Sequence, residues 1–357
     1  MFLKSLSLQN FRNYKKATFS LSDKATIVVG VNTSGKSNLM EALFLLATGK
    51  SLRAEKDSEM ITFGEEISRV KGESGSLEKT TLEVVLTAGR VLGKETPLKK
   101  YLVNGVSKKR LDFSFYLPAV LFSPVDLNII VDSPSLRRKF LDTVLEQSDS
   151  SYRLSTIWYA KALRQRNALL EQAKEEGKRD TKQFTYWDGL LIEHGNYITK
   201  KREAFITFLN NTPKDVFDFV AFYDKSTVSR ERLLQYEDAE IGAGVTLVGP
   251  HRDDISFKMF NNADQTTHDV KLYGSRGQQR IAVLQLKMLE LSFLEIALKR
   301  RPLLLLDDIF SELDSGHIEL VLEMVMKQQT VITTTHAEFV PKSVVGDGKI
   351  IALPLGK

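Results

Sequence analysis

The sequence predicts an α/β protein in which a mixed sheet, assembled from both ends of the chain, carries an inserted, mostly helical lobe. Three observations predict it. Near the start, the loop Gly30-Val31-Asn32-Thr33-Ser34-Gly35-Lys36-Ser37 lies between a β-branched run and an apolar, helix-forming run. Near the finish, four consecutive leucines end in two acids, Leu303 to Asp308. Between them, apolar residues recur at helical spacing from Pro134 to beyond Leu170.

The first of these fits G-x-x-x-x-G-K-[ST] in the strand–loop–helix context that the motif requires. The glycines let the backbone curl so that successive N–H groups face phosphate oxygens, and the following helix adds its positive end. Lys36 is expected to reach the β- and γ-phosphates of a nucleotide, and Ser37 to give a hydroxyl ligand to Mg²⁺. A triphosphate site also needs a carboxylate beside the metal. The leucine run suits a parallel strand covered on both faces, whose carboxyl end is where open α/β sheets bind ligands. Asp307 is expected to hold Mg²⁺ through water, and Asp308 to orient or deprotonate the attacking water. Lys36 and Asp307 lie 271 positions apart, so a shared site forces both chain ends into one sheet.

The elements follow in order. Lys24 to Val29 reads as a strand and Leu39 to Ala47 as a helix. Short strands at Leu82 to Leu86 and Tyr101 to Val103, separated by Gly89, Gly93, Pro97 and Gly105, read as a meander. Asp132 or Ser133 caps a helix with Pro134 in its first turn, and Leu136, Phe140, Leu141, Val144 and Leu145 share one of its faces. Helical pattern continues through Trp158 and Leu170, with a polar turn from Lys174 to Gln183. After Gly249 come a helix near Gln278 to Lys299, the strand Leu303 to Leu306, a helix over 316–327 and the strand Thr330 to Thr335. The expected boundaries are 1–124 and 246–357 for the two parts of one lobe and 125–245 for the helical insertion.

Composition sets limits on function. The chain has 50 Lys and Arg against 45 Asp and Glu, net +5, a balance that permits nucleic acid without demanding it. Residues 151–210 hold eleven basic against seven acidic side chains, a local excess that favours phosphate contacts. Cysteine is absent, which excludes disulfides and thiolate metal sites and suits a reducing, cytoplasmic setting. No apolar run approaches the roughly 20 residues that span a bilayer, so no membrane role is expected. The five histidines show no pair at metal-ligand spacing. His251, between Gly-Pro and Asp-Asp, is as plausibly a structural turn as a site.

Further segments resemble ABC-type ATPases. Ser275-Arg276-Gly277-Gln278-Gln279 resembles the signature sequence, Ser311-Glu312-Leu313-Asp314 the D-loop, and Thr333-Thr334-Thr335-His336 the strand ending in the switch histidine. More closely, Leu8-Gln9-Asn10-Phe11-Arg12-Asn13-Tyr14, Phe122-Ser123-Pro124-Val125-Asp126-Leu127, Arg137-Arg138-Lys139-Phe140-Leu141-Asp142 and Gly249-Pro250-His251-Arg252-Asp253-Asp254 resemble the RecF family of SMC-like ATPase heads.

That resemblance implies ATP and Mg²⁺ as ligands and an ATP-dependent homodimer, with Ser275, Gly277 and Gln278 of one protomer covering the nucleotide of the other. It implies a γ-phosphate contact from His336, an approach to the nucleotide by Arg12 and Asn13, and weak ATP hydrolysis. It further implies binding to gapped, single-stranded or duplex DNA in recombinational repair and replication, with RecR and RecO helping to load recombinase. Arg137, Arg138 and Lys139, the sharpest basic run, are the candidate DNA contacts. Thr33, where the family usually has glycine, and Arg276, where it has a small or amide residue, depart from the pattern. Two rivals are a transporter's nucleotide-binding subunit, which would lack the long insertion, and a nucleotide-gated scaffold that binds no DNA.

Overall fold

The computed structural model describes residues 2–51, 53–75, 79–177, 181–261, 266–311 and 315–354. The chain divides into two compact units, one formed by residues 1–126 and 290–357 and the other by 127–289. The first unit is therefore discontinuous in sequence, as the shared site requires.

The mixed sheet expected in that unit is present as two sheets, one wholly parallel and one wholly antiparallel. The parallel sheet runs Ala119–Phe122, Leu303–Asp307, Thr330–Thr334, Ala25–Val29, Lys349–Ala352 in spatial order. Its central strand residues, Leu303 to Leu306 and Val331 to Thr334, are buried, which explains their unbroken apolar or β-branched character. The antiparallel sheet runs Tyr14–Ser20, Leu3–Phe11, Ile67–Ser74, Thr81–Thr87, Lys99–Val103, Val106–Lys108.

The helix Lys36–Thr48 packs against both sheets. Leu39, Leu43 and Leu46 join Leu6, Leu8, Val70, Leu82 and Val84 of one sheet and Leu303, Leu305 and Val331 of the other in a single apolar cluster. Each such side chain stabilises the fold by about 1.5–3 kcal/mol on burial. Gly72 permits this closeness, since a Cβ there would lie 2.4 Å from Leu46 Cδ2. Gln329 ties the two ends of the chain together. Its amide accepts from Leu3 N at 2.8 Å and donates to the carbonyls of Leu3 and Ser22, each at 2.7 Å.

The second unit opens with the short helix Asn128–Val131, followed by the helix Pro134–Ser148, with Ser133 at its N-cap position and proline in its first turn. The helices Ser150–Glu176 and Thr181–Asn211 follow, the first capped by Asp149, which accepts from Ser151 N and Tyr152 N. The unit extends past the expected limit at 245 to Leu289. The reason is a three-stranded sheet in which Val220–Asp224, within the expected helical lobe, pairs with Asp254–Asn261, which pairs in turn with Thr266–Asp269.

Charged groups hold this unit together. Arg202, 4% exposed, donates to Asp142 and Asp253, each at 2.8 Å, and to the Pro250 carbonyl at 2.7 Å. Asp253 also accepts from Tyr223 and from Ser226 N. Arg166 donates to Asp188, Glu240 and Thr246. His251 is a core group here. Its Nε2 donates to the Thr246 carbonyl at 3.1 Å, so Nδ1 accepts from the Tyr159 hydroxyl at 2.7 Å, and burial pushes its pKa down to about 4.

This network corrects the reading of Arg137, Arg138 and Lys139 as a DNA-contacting run. Arg137 is buried, forks onto Asp254 at 2.6 and 3.0 Å, and donates to the Asp132 carbonyl at 2.7 Å. Arg138 donates to the Asp253 carbonyl at 2.7 Å, and burial lowers its pKa. Helical spacing places consecutive residues on different faces, so only Lys139 of the three is exposed. Arg137→Ala is expected to destabilise the second unit by about 2–3 kcal/mol, because it strands a half-buried carboxylate. Arg137→Lys should recover only part, lacking the fork. Urea unfolding checks both, and an Ala variant within error of the parent would contradict the assignment.

Candidate functional site

At the carboxyl edge of the parallel sheet, Val29 lies opposite Thr334 and Asp307 opposite Thr333. The loop after Val29, the two acids and the segment after Thr334 therefore leave the sheet side by side. The loop and the two acids line a cleft formed by Asn32, Thr33, Lys36, Ser37, Asp307 and Asp308, with Asn38 and Arg53 at its side. Ser37 Oγ stands 3.5 Å from Asp307 Oδ1 although 270 positions separate the two residues.

The loop is shaped by backbone conformation. Gly35 has φ 104, and a Cβ there would lie within 2.7–2.9 Å of Tyr14 and Asn13. The Gly35 carbonyl accepts from the Tyr14 hydroxyl at 3.1 Å, and burial pushes that hydroxyl's pKa up to about 12, so it remains a neutral donor. Gly30 N donates to the Thr334 carbonyl at 3.2 Å, and Ser34 N to the Val31 carbonyl at 3.2 Å. Thr33 adopts φ 71, a left-handed conformation unusual for a β-branched residue.

The side chains fit a magnesium triphosphate. Lys36, 6% exposed, donates to the carbonyls of Gly30 at 2.6 Å and Val31 at 3.2 Å, and no carboxylate of the described residues pairs with it. A buried cation without a counter-charge is a ready seat for an anion. Ser34 Oγ is buried with no hydrogen-bond partner. Among the described residues no group of three His, Cys, Asp or Glu could hold a metal alone. A cation here would depend instead on Ser37, Asp307 and phosphate oxygens, a donor set of the kind Mg²⁺ takes. Thr333, fully buried, donates its hydroxyl to Asp307 at 2.6 Å, while Asp308 N donates to the Thr333 carbonyl at 3.1 Å. The Asp308 backbone is left-handed, φ 56.

The remaining expected residues lie elsewhere. Arg12 is held away from the phosphate cleft by Glu41, on which its guanidinium forks at 2.7 and 2.8 Å. Burial alone would raise the Glu41 pKa, but hydrogen bonds from Arg12 and Ser51 and the charges of Arg12 and Arg53 outweigh it and lower it. Arg12 and Asn13 instead face a neighbouring depression, bordered on the cleft side by Asn38 and walled by Ile61, Thr62 and the wholly exposed Phe63. His336 follows the strand end but is exposed and outside the cleft, its Nδ1 3.6 Å from Glu338.

Ser275, Gly277 and Gln278 belong to the second unit and are exposed at the start of the helix Arg276–Leu298. There Gln278 N donates to Ser275 Oγ at 3.2 Å and Ser275 N to the Gln278 side chain at 2.9 Å, a reciprocal cap. The D-loop residues Glu312, Leu313 and Asp314 lie outside the described residues. Sequence reasoning missed Arg53, which donates to the Ser37 carbonyl at 2.7 Å, and Thr333, which orients both acids. No spacing rule marks Arg53. A hydroxyl at a strand end opposite the acids was the available signal for Thr333.

The family model for the RecF/RecN/SMC N terminal domain matches residues 2–347. The chain is 34% identical to the DNA replication and repair protein RecF of Bacillus cereus (strain G9842), over 100% of this chain and 98% of that one. The chain belongs to the RecF family. Identity to the RecF of Bacillus anthracis (strain CDC 684 / NRRL 3495) is 33% over the same shares. Among solved structures, the recombination mediator protein RecF of the RecFOR pathway in its ATPrS form superposes with a TM-score of 0.85 at 31% identity, covering 99% of this chain and 96% of that chain. Its ATP form gives 0.84 at 31% identity over 94% and 93%. An SMC head bound to the winged-helix domain of ScpA shares the fold, with a TM-score of 0.52 at 18% identity. The RecF family is thus the frame for this ATPase fold, and the transporter reading finds no support. No helix among the described residues is long and apolar enough to cross a membrane.

Thr33 gives a test of the loop. Its left-handed backbone costs about 1–2 kcal/mol, and glycine would return about 0.4–1 kcal/mol of that through the freer unfolded chain. Thr33→Gly is expected to raise stability by about 1 kcal/mol or less, read as a higher denaturant midpoint. A lower midpoint would mean that the threonine side chain makes a compensating contact.

Proposed function

We propose that the chain is an ATP-binding protein of DNA replication and repair that pairs with a second copy when ATP is bound, engages DNA at gaps, and separates after slow hydrolysis. The observation that carries this reading is the meeting of Lys36, Ser37 and Asp307 around one cleft across 270 positions of chain. The names of the full-length relatives supply the setting, and the pathway named for the solved RecF structures supports RecR and RecO as partners in loading recombinase.

In this mechanism the loop N–H groups and Lys36 bind the β- and γ-phosphates, and the depression beside Arg12, Asn13 and Phe63 receives the base and ribose. Ser37 Oγ and Asp307 are the groups that would hold Mg²⁺, which when bound would supply charge neutralisation on the phosphate oxygens. Thr333 keeps the Asp307 carboxylate turned toward that position. The Asp308 carboxylate orients the attacking water and takes its proton. His336, at the exposed end of the strand, donates to the γ-phosphate once it turns from Glu338 and Phe339. The second copy completes the site. Its Ser275 Oγ accepts from the helix N–H, so the hydroxyl proton remains available to a terminal phosphate beside the exposed Gly277.

Light scattering with and without ATP and Mg²⁺ tests the pairing. The parent is expected to double in mass only with both, and Lys36→Met and Ser275→Arg are each expected to stay single. A dimer indifferent to nucleotide would overturn the composite site. Asp308→Asn should keep ATP affinity while slowing single-turnover hydrolysis by about 10²–10⁴-fold. An unchanged rate would remove Asp308 from proton transfer.

A further inference from the structure

Once Arg137 and Arg138 are assigned to internal pairs, the chain needs another surface if it is to hold DNA. The antiparallel sheet of the first unit turns one face to the apolar cluster; the other exposes Gln9, Lys16, Arg69 and Lys100, with Val85 buried between the last two cations. On this second face, cross-strand register places Lys16 opposite Gln9, Gln9 opposite Arg69, Arg69 opposite Val85 and Val85 opposite Lys100. One line perpendicular to five strands therefore carries a cation on its first, third and fifth members. With strands about 4.8 Å apart, successive cations stand about 10 Å from each other at their backbones.

Lys71 lies two residues along from Arg69 on the same face, opposite Ser7. Lys16, Arg69 and Lys100 are exposed. No carboxylate of the described residues pairs with Lys16 or Lys100, while Arg69 and Lys71 meet only the surface acids Glu83 at 2.7 Å and Glu73 at 3.2 Å. Such exposed pairs are weak enough to be exchanged for phosphates. Between the cations the face offers neutral hydroxyls, Ser7 and Thr18, 3.2 Å apart.

We propose that this face is a docking surface for the sugar-phosphate backbone of duplex DNA. Cations set at regular intervals across a hydrogen-bonded sheet can meet successive phosphates of a duplex backbone, and hydroxyls serve as neutral phosphate donors. The described positions on this face include no aromatic residue, so it lacks the stacking platform by which single strands are held. Recognition here is by backbone charge and shape, without base reading. The assignment rests on the DNA-binding reading above and gives that reading a location.

Fluorescence anisotropy with a labelled blunt duplex, in ATP and Mg²⁺ over a range of salt, tests it. Lys16→Gln with Lys100→Gln, and the triple reversal Lys16→Glu, Arg69→Glu, Lys100→Glu, are compared with a charge-matched control in the other unit, Lys161→Glu, Arg164→Glu, Lys200→Glu. Each lost phosphate contact flattens the plot of log K against log salt by about 0.9, so the double should lose about 2 and the triple about 3 from the slope. The triple should also weaken binding by on the order of tenfold or more near 0.1 M salt. ATP binding by calorimetry is expected to be unaltered in all three. Parent binding with an unchanged slope in the double variant overturns this surface while leaving the DNA reading intact. An equal slope change in the control overturns it in favour of net charge, and stronger dependence for a single strand than for the duplex overturns the duplex assignment. A parent that shows no salt-sensitive binding to duplex or single strand defeats the DNA reading itself.

Discussion

The first unit depends on the register of three parallel strands. Asp307 can face Ser37 only because Leu304 to Leu306 pair with Thr330 to Ile332, and these in turn with Ala25 to Ile27. Each leucine is buried, so the strand has no solvated face onto which it could slip. A shift of one residue inward would carry the Asp307 carboxylate into the site of a buried leucine, at a cost far beyond ordinary packing errors. Thr333 makes the final adjustment, fixing one acid with its hydroxyl and the next with its carbonyl. The placement of two acids thus follows from apolar burial a few residues away.

The second unit reaches definition by a different route. Arg202, Arg166 and Arg137 sit among carboxylates contributed by distant segments, and Asp253 alone joins Arg202, Tyr223 and Ser226. Removing one member of such a group costs more than the group contributes in net stability, because the remaining charge is left without a partner. Networks of this kind select one arrangement of segments more than they deepen the energy well. The segments Arg137 to Asp142 and Gly249 to Asp254 are two halves of one such arrangement. They also account for His251, whose neutral ring bridges Tyr159 and Thr246 as a structural element.

The site was legible in sequence wherever chemistry demands contiguous residues. The loop Gly30 to Ser37, the acids after the leucine strand, and the closure of one sheet by both chain ends all followed from that requirement, and the elements named from sequence fall within a few residues of their expected limits, whereas the strands Tyr14–Ser20, Ile67–Ser74, Ala119–Phe122 and Lys349–Ala352 were not named. The strands Val220–Asp224 and Asp254–Asn261 were not legible as a pair, since their partnership crosses the helices between them and leaves no local pattern. The partner of the Arg12 side chain was not legible for a related reason. Arg12 lies near the loop, yet Glu41, one helical turn beyond Ser37, captures the guanidinium. Nothing in the spacing of Arg12 reveals an acid on another element. Arg53 escaped notice because it acts on the loop through a backbone carbonyl, for which no residue pattern exists.

Charge shows most clearly how a count along the chain can mislead. The basic excess over residues 151–210 includes Arg153, Arg166 and Arg202, all of them buried. Guanidinium groups of that kind neutralise interior acids and add little to the field outside. In the antiparallel sheet Lys16, Arg69 and Lys100 come from three separate segments, so no single run along the chain contains all three. Only strand pairing brings them into line, and only the alternation of side chains across a pleat turns them outward. A nucleic-acid surface built on a sheet is for that reason invisible to a search for basic runs, whereas a basic run on a helix is divided among faces and is readily drawn into the core.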